Sequence, residues 1–172
     1  MHTPLILTVI GDDRPGLVET LSRLITAHRG NWLESSMAQL AGKFAGIVKI
    51  DVPAEELEPL CRDLEGQSAL RVVAQPATPE VDRRAGSRLK LSLVGQDRLG
   101  IVREVTTVLA RHGVNIEELA TRTESAPMSG ETLFHATATL LAAPGLEPRA
   151  LQDDLERISH ELMVEIALSD HP

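Results

Sequence analysis

Ile10-Gly11-Asp12-Asp13-Arg14-Pro15-Gly16-Leu17-Val18 returns as Val94-Gly95-Gln96-Asp97-Arg98-Leu99-Gly100-Ile101-Val102, 84 residues further along the chain. The same offset, without a gap, sets His28 on His112 and Asn31 on Asn115. It also carries Leu7, Val9, Leu21, Leu24 and Ile25 onto Leu91, Leu93, Val105, Val108 and Leu109. Chance readily supplies one short motif, but not a motif, an apolar helix face and an Asn in a single register. The chain is therefore read as two copies of one structural unit.

Outward from the motif, each copy reads as strand, helix, strand, strand, helix, strand. Leu5–Ile10 is a short apolar run, as a buried strand requires. Leu17, Leu21, Leu24, Ile25 and His28 then recur at helical spacing until Gly30 stops the helix. An extended segment from Asn31 to about Leu40 turns at Ala41-Gly42-Lys43. Phe44, Gly46, Val48, Ile50 and Val52 alternate along the next strand. Pro53-Ala54-Glu55-Glu56 opens a second helix through Leu57, Leu60, Cys61 and Leu64, and Leu70–Ala74 supplies the last strand. The second copy predicts strands over Arg88–Val94, Asn115–Thr123, Thr132–Leu141 and Met163–Leu168. Its helices are expected over Ile101–His112 and about Glu147–Glu161.

This order predicts an α+β fold: two ferredoxin-like βαββαβ domains, each an antiparallel four-stranded sheet with both helices on one face. The expected domains are residues 1–75 and 88–172. The segment 76–87, with Pro76, Pro79 and Gly86 among charged residues, is expected to link them. A unit of roughly 70–80 residues is marginal alone, so docking of the copies or dimerisation is expected.

Composition excludes several classes. Apolar residues make up 42% of 172, enough for a core, but aromatics only 2%, with one Trp, two Phe and no Tyr. A stacking platform for single-stranded nucleic acid is not expected from so few rings. The formal net charge is −8, and the only basic cluster, Arg83-Arg84 with Arg88 and Lys90, is short and reads as a solvated linker. Direct nucleic-acid binding is disfavoured, because it relies on clustered cations. Cys61 is alone, so no intramolecular disulfide and no Cys-based zinc site is expected; it reads as a buried, inert thiol. No metal and no cofactor is predicted. The N-terminus lacks a basic region followed by a long apolar stretch, and no apolar run approaches the roughly 20 residues that span a bilayer. The expected location is the cytoplasm.

The motif sits between the first strand and the first helix of each copy. Pro15 fixes φ near the helical value and is expected at the first helical position. Asp13 is placed to cap the helix or to sit near its positive end. Gly16 lets a backbone or ligand come close. First-turn N–H groups can hold a carboxylate or phosphate, and a nearby Asp can take an amino group, so together these features suit a zwitterion such as an amino acid. Asp, Pro and Gly are also ordinary turn and capping residues; recurrence of Asp-Arg-x-Gly in both copies is what lifts the functional reading to even terms. Asn31 and Asn115, taken alone, read first as turn residues that tolerate the left-handed conformation. His28 and His112, on apolar helix faces, read as satisfied semi-buried side chains and not as metal ligands.

Asp-Arg-Pro-Gly-Leu-Val followed by a helix, Gly-Asn and a strand pair resembles the ACT domain, a regulatory module that senses amino acids. Two copies over nearly the whole chain look like the glycine cleavage system transcriptional repressor family. The segment Ser125-Ala-Pro-Met-Ser-Gly-Glu-Thr-Leu-Phe134 is similar to a hairpin loop of that family. The resemblance implies an effector held where two modules pair, contacted by the strand-to-helix loop and the start of the second strand. That points to Gly11, Asp12, Asp13, Arg14, Pro15, Gly16 and Asn31, and to Gly95, Asp97, Arg98, Leu99, Gly100 and Asn115. Leu99 departs from the usual Pro, which leaves open whether both copies bind ligand.

The resemblance further implies a repressor that responds to an amino acid such as glycine and acts through a DNA-bound protein partner of the LysR-type activator class, with no direct nucleic-acid or membrane contact. A homodimer is compatible with it. The alternatives are a structural or oligomerisation module and a stand-alone regulatory subunit of a metabolic enzyme. Catalysis is not expected, since no nucleophile-elbow, phosphate-loop or metal pattern appears.

Overall fold

The computed structural model describes residues 2–78, 86–127 and 130–170. The chain divides into two compact units, Met1–Pro79 and Glu80–Pro172. In the first, the order is β1 (His2–Asp12), α1 (Leu17–Ala27), β2 (Asn31–Leu40), β3 (Lys43–Pro53), a 3₁₀ turn (Ala54–Glu56), α2 (Leu57–Glu65) and β4 (Arg71–Pro76). In the second it is β5 (Ser87–Gln96), α3 (Ile101–Arg111), β6 (Val114–Ser125), β7 (Thr132–Ala142), α4 (Pro148–Leu162) and β8 (Val164–Asp170). The sheet orders are β2-β3-β1-β4 and β6-β7-β5-β8, every pairing antiparallel. Both units thus have the ferredoxin-like arrangement that the sequence predicts.

Alternation decides which sheet face is covered. Leu5, Leu7 and Val9 on β1 and Val48, Ile50 and Val52 on β3 are buried against Leu17, Leu21 and Ile25 of α1 and Leu60 and Leu64 of α2. Leu89, Leu91 and Leu93 with Ala136, Ala138, Leu140 and Ala142 do the same beneath α3 and α4. The two clusters share no residue. In the second cluster β7 contributes Ala136, Ala138 and Ala142, and the longer α4 contributes Leu151, Leu155 and Ile158. The internal likeness extends to a bulge: β2 shifts register between Trp32 and Glu34, and β6 between Ile116 and Glu118. The β2–β3 turn uses Ala41 and Gly42 at φ 49° and 78°, the two positive values that a tight hairpin needs.

Three local expectations change. Pro15 precedes the helix cap and does not occupy the first helical position, because Gly16 is the N-cap. Asp13 does not cap α1, since no side chain does. The helix stop lies one residue earlier than Gly30: Arg29 takes the left-handed conformation, φ 57°. Arg88 lies in β5, as the sequence predicts, and its Nε is 2.9 Å from Glu117 Oε2. Most of the expected linker, residues 79–85 with Arg83 and Arg84, and Met128 and Ser129 of the β6–β7 loop lie outside the described residues.

Candidate functional site

Gly16 and Gly100 open α1 and α3 with φ 91° and 94°, and a Cβ at either would meet nothing within 4 Å. Glycine is needed here for its left-handed backbone, and not for the close approach that the sequence suggested. The space over both helix entrances is open. The first bonds into the helices run from Thr20 N–H to the Gly16 carbonyl and from Glu104 N–H to the Gly100 carbonyl, both 2.9 Å. First-turn donors upstream of these receive no side-chain partner, which leaves the positive ends of both helices facing open space.

The loops are anchored from behind. Asp13 N–H donates to the Gly42 carbonyl at 2.9 Å, and Asp97 N–H to the Thr132 carbonyl at 2.8 Å, so the β2–β3 and β6–β7 connections hold each loop in place. In the first unit the Lys43 ammonium also donates to Asp12, and that bond, followed by the charge of Lys43, holds the Asp12 carboxyl below its ordinary range. The second unit has Gln96 and Leu133 at the paired positions and lacks this ion pair. Asp13, Arg14, Asp97 and Arg98 are exposed. Each loop therefore carries an exposed carboxylate and an exposed guanidinium among the residues that lead into a helix N-terminus. Leu99 stands fully exposed where the first copy has Pro15.

Alanine at Gly16 is expected to cost roughly 1–2 kcal/mol from the left-handed backbone alone, because no neighbour obstructs the added methyl. Asn, which tolerates that conformation, is expected to cost less. Urea unfolding followed at Trp32 checks the order, and equal losses for the two would point to contact instead of backbone strain.

Asn31 and Asn115 are exposed at the first turns of β2 and β6. The registers Asn31 to Asp51 to Pro4, and Asn115 to Leu141 to Arg88, put each Asn at the end of the sheet away from its own loop. Pro4 and Gly11 are seven residues apart on β1, roughly 23 Å at the usual rise. A single unit does not bring its Asn and its loop together.

Sequence reasoning missed four residues at the loop end. Phe44 and Phe134, the chain's two phenylalanines, lie directly across from Gly11 and Gly95 and pack on the two cores. Lys43 and Thr132 hold the loops from the hairpins. The signal was present in the strand pairing, but the gapless offset of 84 hides it, because the phenylalanines are 90 apart.

A cavity of about 350 Å³ lies at the other end of the second unit, among Ser87, Leu89, Leu146, Leu151, Leu168 and Asp170, and touches none of the predicted site residues. His28 and His112 are half-buried and bonded to carboxylates of α2 or its leading turn and of α4. Burial, followed by the charge of Glu65, pushes the Cys61 thiol up, away from reactivity. Among the described residues no group of His, Cys, Asp and Glu is placed to hold a metal ion, and no helix is long and apolar enough to cross a membrane.

The duplicated βαββαβ fold, with a left-handed glycine at the N-cap of each unit's first helix, defines a tandem ferredoxin-like protein. The ACT-domain family pattern matches residues 3–73 and again 90–140, and the chain belongs to the ACT-domain family. These modules typically bind small amino-acid ligands and mediate oligomerisation. A crystal structure of a protein of unknown function from Galdieria sulphuraria is 31% identical, with all of both chains covered and a TM-score of 0.89. A structure provisionally named a glycine cleavage system transcriptional repressor is 21% identical over 99% of this chain and 98% of its own, with a TM-score of 0.71. At that identity the likeness is one of fold. No curated protein sequence matches this one.

Proposed function

We propose that this protein is a cytoplasmic amino-acid-responsive regulator that represses a glycine cleavage system through contact with a DNA-bound activator. The observation that supports the sensing half is the repeated loop: an uncapped helix N-terminus under open space, beside an exposed Asp-Arg pair, in both units. The α-carboxylate of an amino acid suits the helix amides and Arg14 or Arg98, and its ammonium suits Asp13 or Asp97. Gly16 and Gly100 keep the helix entrances open, Gly11 and Gly95 let β4 and β8 pack behind the loops, and Asp12, Pro15 and Leu99 would form the rim. Asn31 and Asn115 would be supplied by a module other than the one whose loop holds the ligand. The repressor half draws on the name of the 21%-identical structure and on the acidic charge of −8, which suits a protein partner better than DNA.

Effector binding would favour one arrangement of modules and so change partner affinity, by a coupling of typically 1–3 kcal/mol. Calorimetric titration with glycine and other amino acids is expected to give heat in the wild type and at least tenfold weaker binding in Asp13→Ala or Asp97→Ala. Absence of heat with every amino acid would remove sensing. A pull-down at low and high glycine tests the partner separately: the expected capture is a LysR-type activator, dependent on glycine.

A further inference from the structure

His28 closes α1, and both of its ring nitrogens are taken by carboxylates. Nδ1 lies 2.9 Å from Glu56 Oε2, and Nε2 lies 2.9 Å from Asp63 Oδ2, with the side chain only 13% exposed. An ionised carboxylate accepts hydrogen bonds and donates none. Two such acceptors on one ring need a proton on each nitrogen, which neither neutral tautomer has. The geometry therefore selects the imidazolium.

The next residue is strained. Arg29 sits at φ 57° without being Gly or Asn, and its N–H donates to the Thr26 carbonyl at 3.0 Å. Gly30 N–H reaches back to the Ile25 carbonyl at 2.8 Å, which completes a Schellman turn. Glycine ordinarily fills the left-handed position, yet here glycine comes one residue late, because a Cβ at 30 would fall 2.8 Å from Ile25 Cγ2 and 2.9 Å from its carbonyl. What holds Arg29 in place is charge: its guanidinium donates to Glu55 Oε1 at 3.0 Å and to Glu56 Oε1 at 3.1 Å. In the second unit His112 Nε2 lies 2.9 Å from Asp154, and the left-handed residue after it is Gly113, φ 65°. That copy makes the same turn without strain at a side-chain-bearing residue.

We propose that the His28–Arg29 turn is a proton-operated latch, in which the doubly bonded imidazolium fastens the end of α1 to α2 and loss of its proton to solvent lets the strained turn relax. The groups that face the ring are Glu56 from the 3₁₀ turn and Asp63 from α2; Arg29, on its own segment, shares Glu56 and adds Glu55. The bonds to Glu56 and then Asp63 raise the His28 pKa above 6.5. A raised folded value means the latch contributes fully below 6.5 and is lost as pH rises through the folded pKa. On the acid side, the bonds from His28 and then Arg29 hold Glu56 below 4.5, so its contribution is present above 4.5 and disappears as pH falls through its lower folded value. The latch is closed between those limits. Asn31 follows two residues after Arg29, so the start of β2 moves with it; the proposal holds whether or not Asn31 meets a ligand.

The test is an NMR titration of the full chain, following the His28 Hε1 proton together with the backbone amides of Arg29 and Gly30. A His28 midpoint above 6.5, with both amides shifting at that midpoint, is expected. His28→Gln is expected to abolish the shared amide step. Arg29→Gly is expected to shrink the amide step while His28 still titrates above 6.5, since glycine needs no charge to stay left-handed. A His28 midpoint at or below 6.5, or turn amides indifferent to the His28 titration, would overturn the latch. The wild-type titration decides even where a variant fails to fold.

Discussion

Alanine at position 11 is expected to destabilise the first unit toward the upper end of the roughly 1–3 kcal/mol that an overpacked site costs. The added Cβ would stand 2.5 Å from the Ala69 carbonyl oxygen and 3.1 Å from Leu70 Cδ2. The first of these is backbone, held at the point where the chain enters β4, and no rotamer change moves it aside. Gly95→Ala meets a related obstacle: Val164 Cγ1 at 2.4 Å, Cβ at 2.8 Å and Cα at 2.9 Å, with Val164 directly paired to Gly95 in the sheet. Rotation of the valine clears one methyl, but its Cα stays. Phe44 and Phe134 are the cross-strand partners of the two glycines on the other side of the ladder. Urea unfolding read at Trp32 for Gly11→Ala, and by circular dichroism for Gly95→Ala, measures the two effects. A loss below about 0.5 kcal/mol for Gly11→Ala, the size of an ordinary surface change, would show that β4 yields and that the glycine answers to the loop instead.

That result bears on how the repeated motif should be read. The sequence offers Gly11 and Gly16 as one glycine-rich loop, yet the structure gives them different causes: Gly11 lies under a carbonyl, and Gly16 needs a positive φ under open space. Recurrence reveals that a position matters but not whether packing, backbone or ligand makes it matter. The central strands and the helices were legible because one period or the other runs through them; Leu5, Leu7, Val9 and Leu17, Leu21, Ile25 display both within one copy. The site was less legible because its supports arrive from the other strands. Lys43 finds Asp12, and Phe44 finds Gly11, only through the β1–β3 register. The two β-hairpin turns differ in length, so the second copy's counterparts slide out of a gapless comparison. Asn31 and Asn115 expose the same limit from the other side. Adjacent to a helix end in sequence, each is carried by that helix to the far end of the sheet from the motif it was grouped with. Arg29 was overlooked for a simpler reason: a helix stop next to Gly30 draws attention to the glycine, while the residue that takes the unusual backbone is bonded to carboxylates of the 3₁₀ turn, more than 20 residues away in sequence.

Leu7→Ala is expected to be the most damaging single truncation in the first unit, at about 2–5 kcal/mol. Leu7 is fully buried on the central strand β1, pairs with Val48 on one side and Ala74 on the other, and belongs to the cluster under α1 and α2. Removing its isobutyl group leaves a cavity between a sheet and two helices, and the strands on either side prevent β1 from moving in to fill it. Ile47→Ala is the control. Ile47 lies one residue from Val48 along β3 and so faces the opposite side of the same sheet, where it is 53% exposed. Its truncation is expected to cost within about 0.5 kcal/mol, as surface changes do. Trp32 packs on the first unit's core and is the chain's sole tryptophan, so one fluorescence probe reads both variants. A similar midpoint shift for the two would mean that the face bearing Ile47 is covered in solution, and the one-sided sheet assigned to this unit would have to be replaced by one buried on both faces. A large shift for Leu7→Ala alone ties stability to the register of β1 against β3. The same register brings Lys43 and the Gly42 carbonyl to the Gly11–Gly16 loop, so the alternation that builds the core also sets the loop in place.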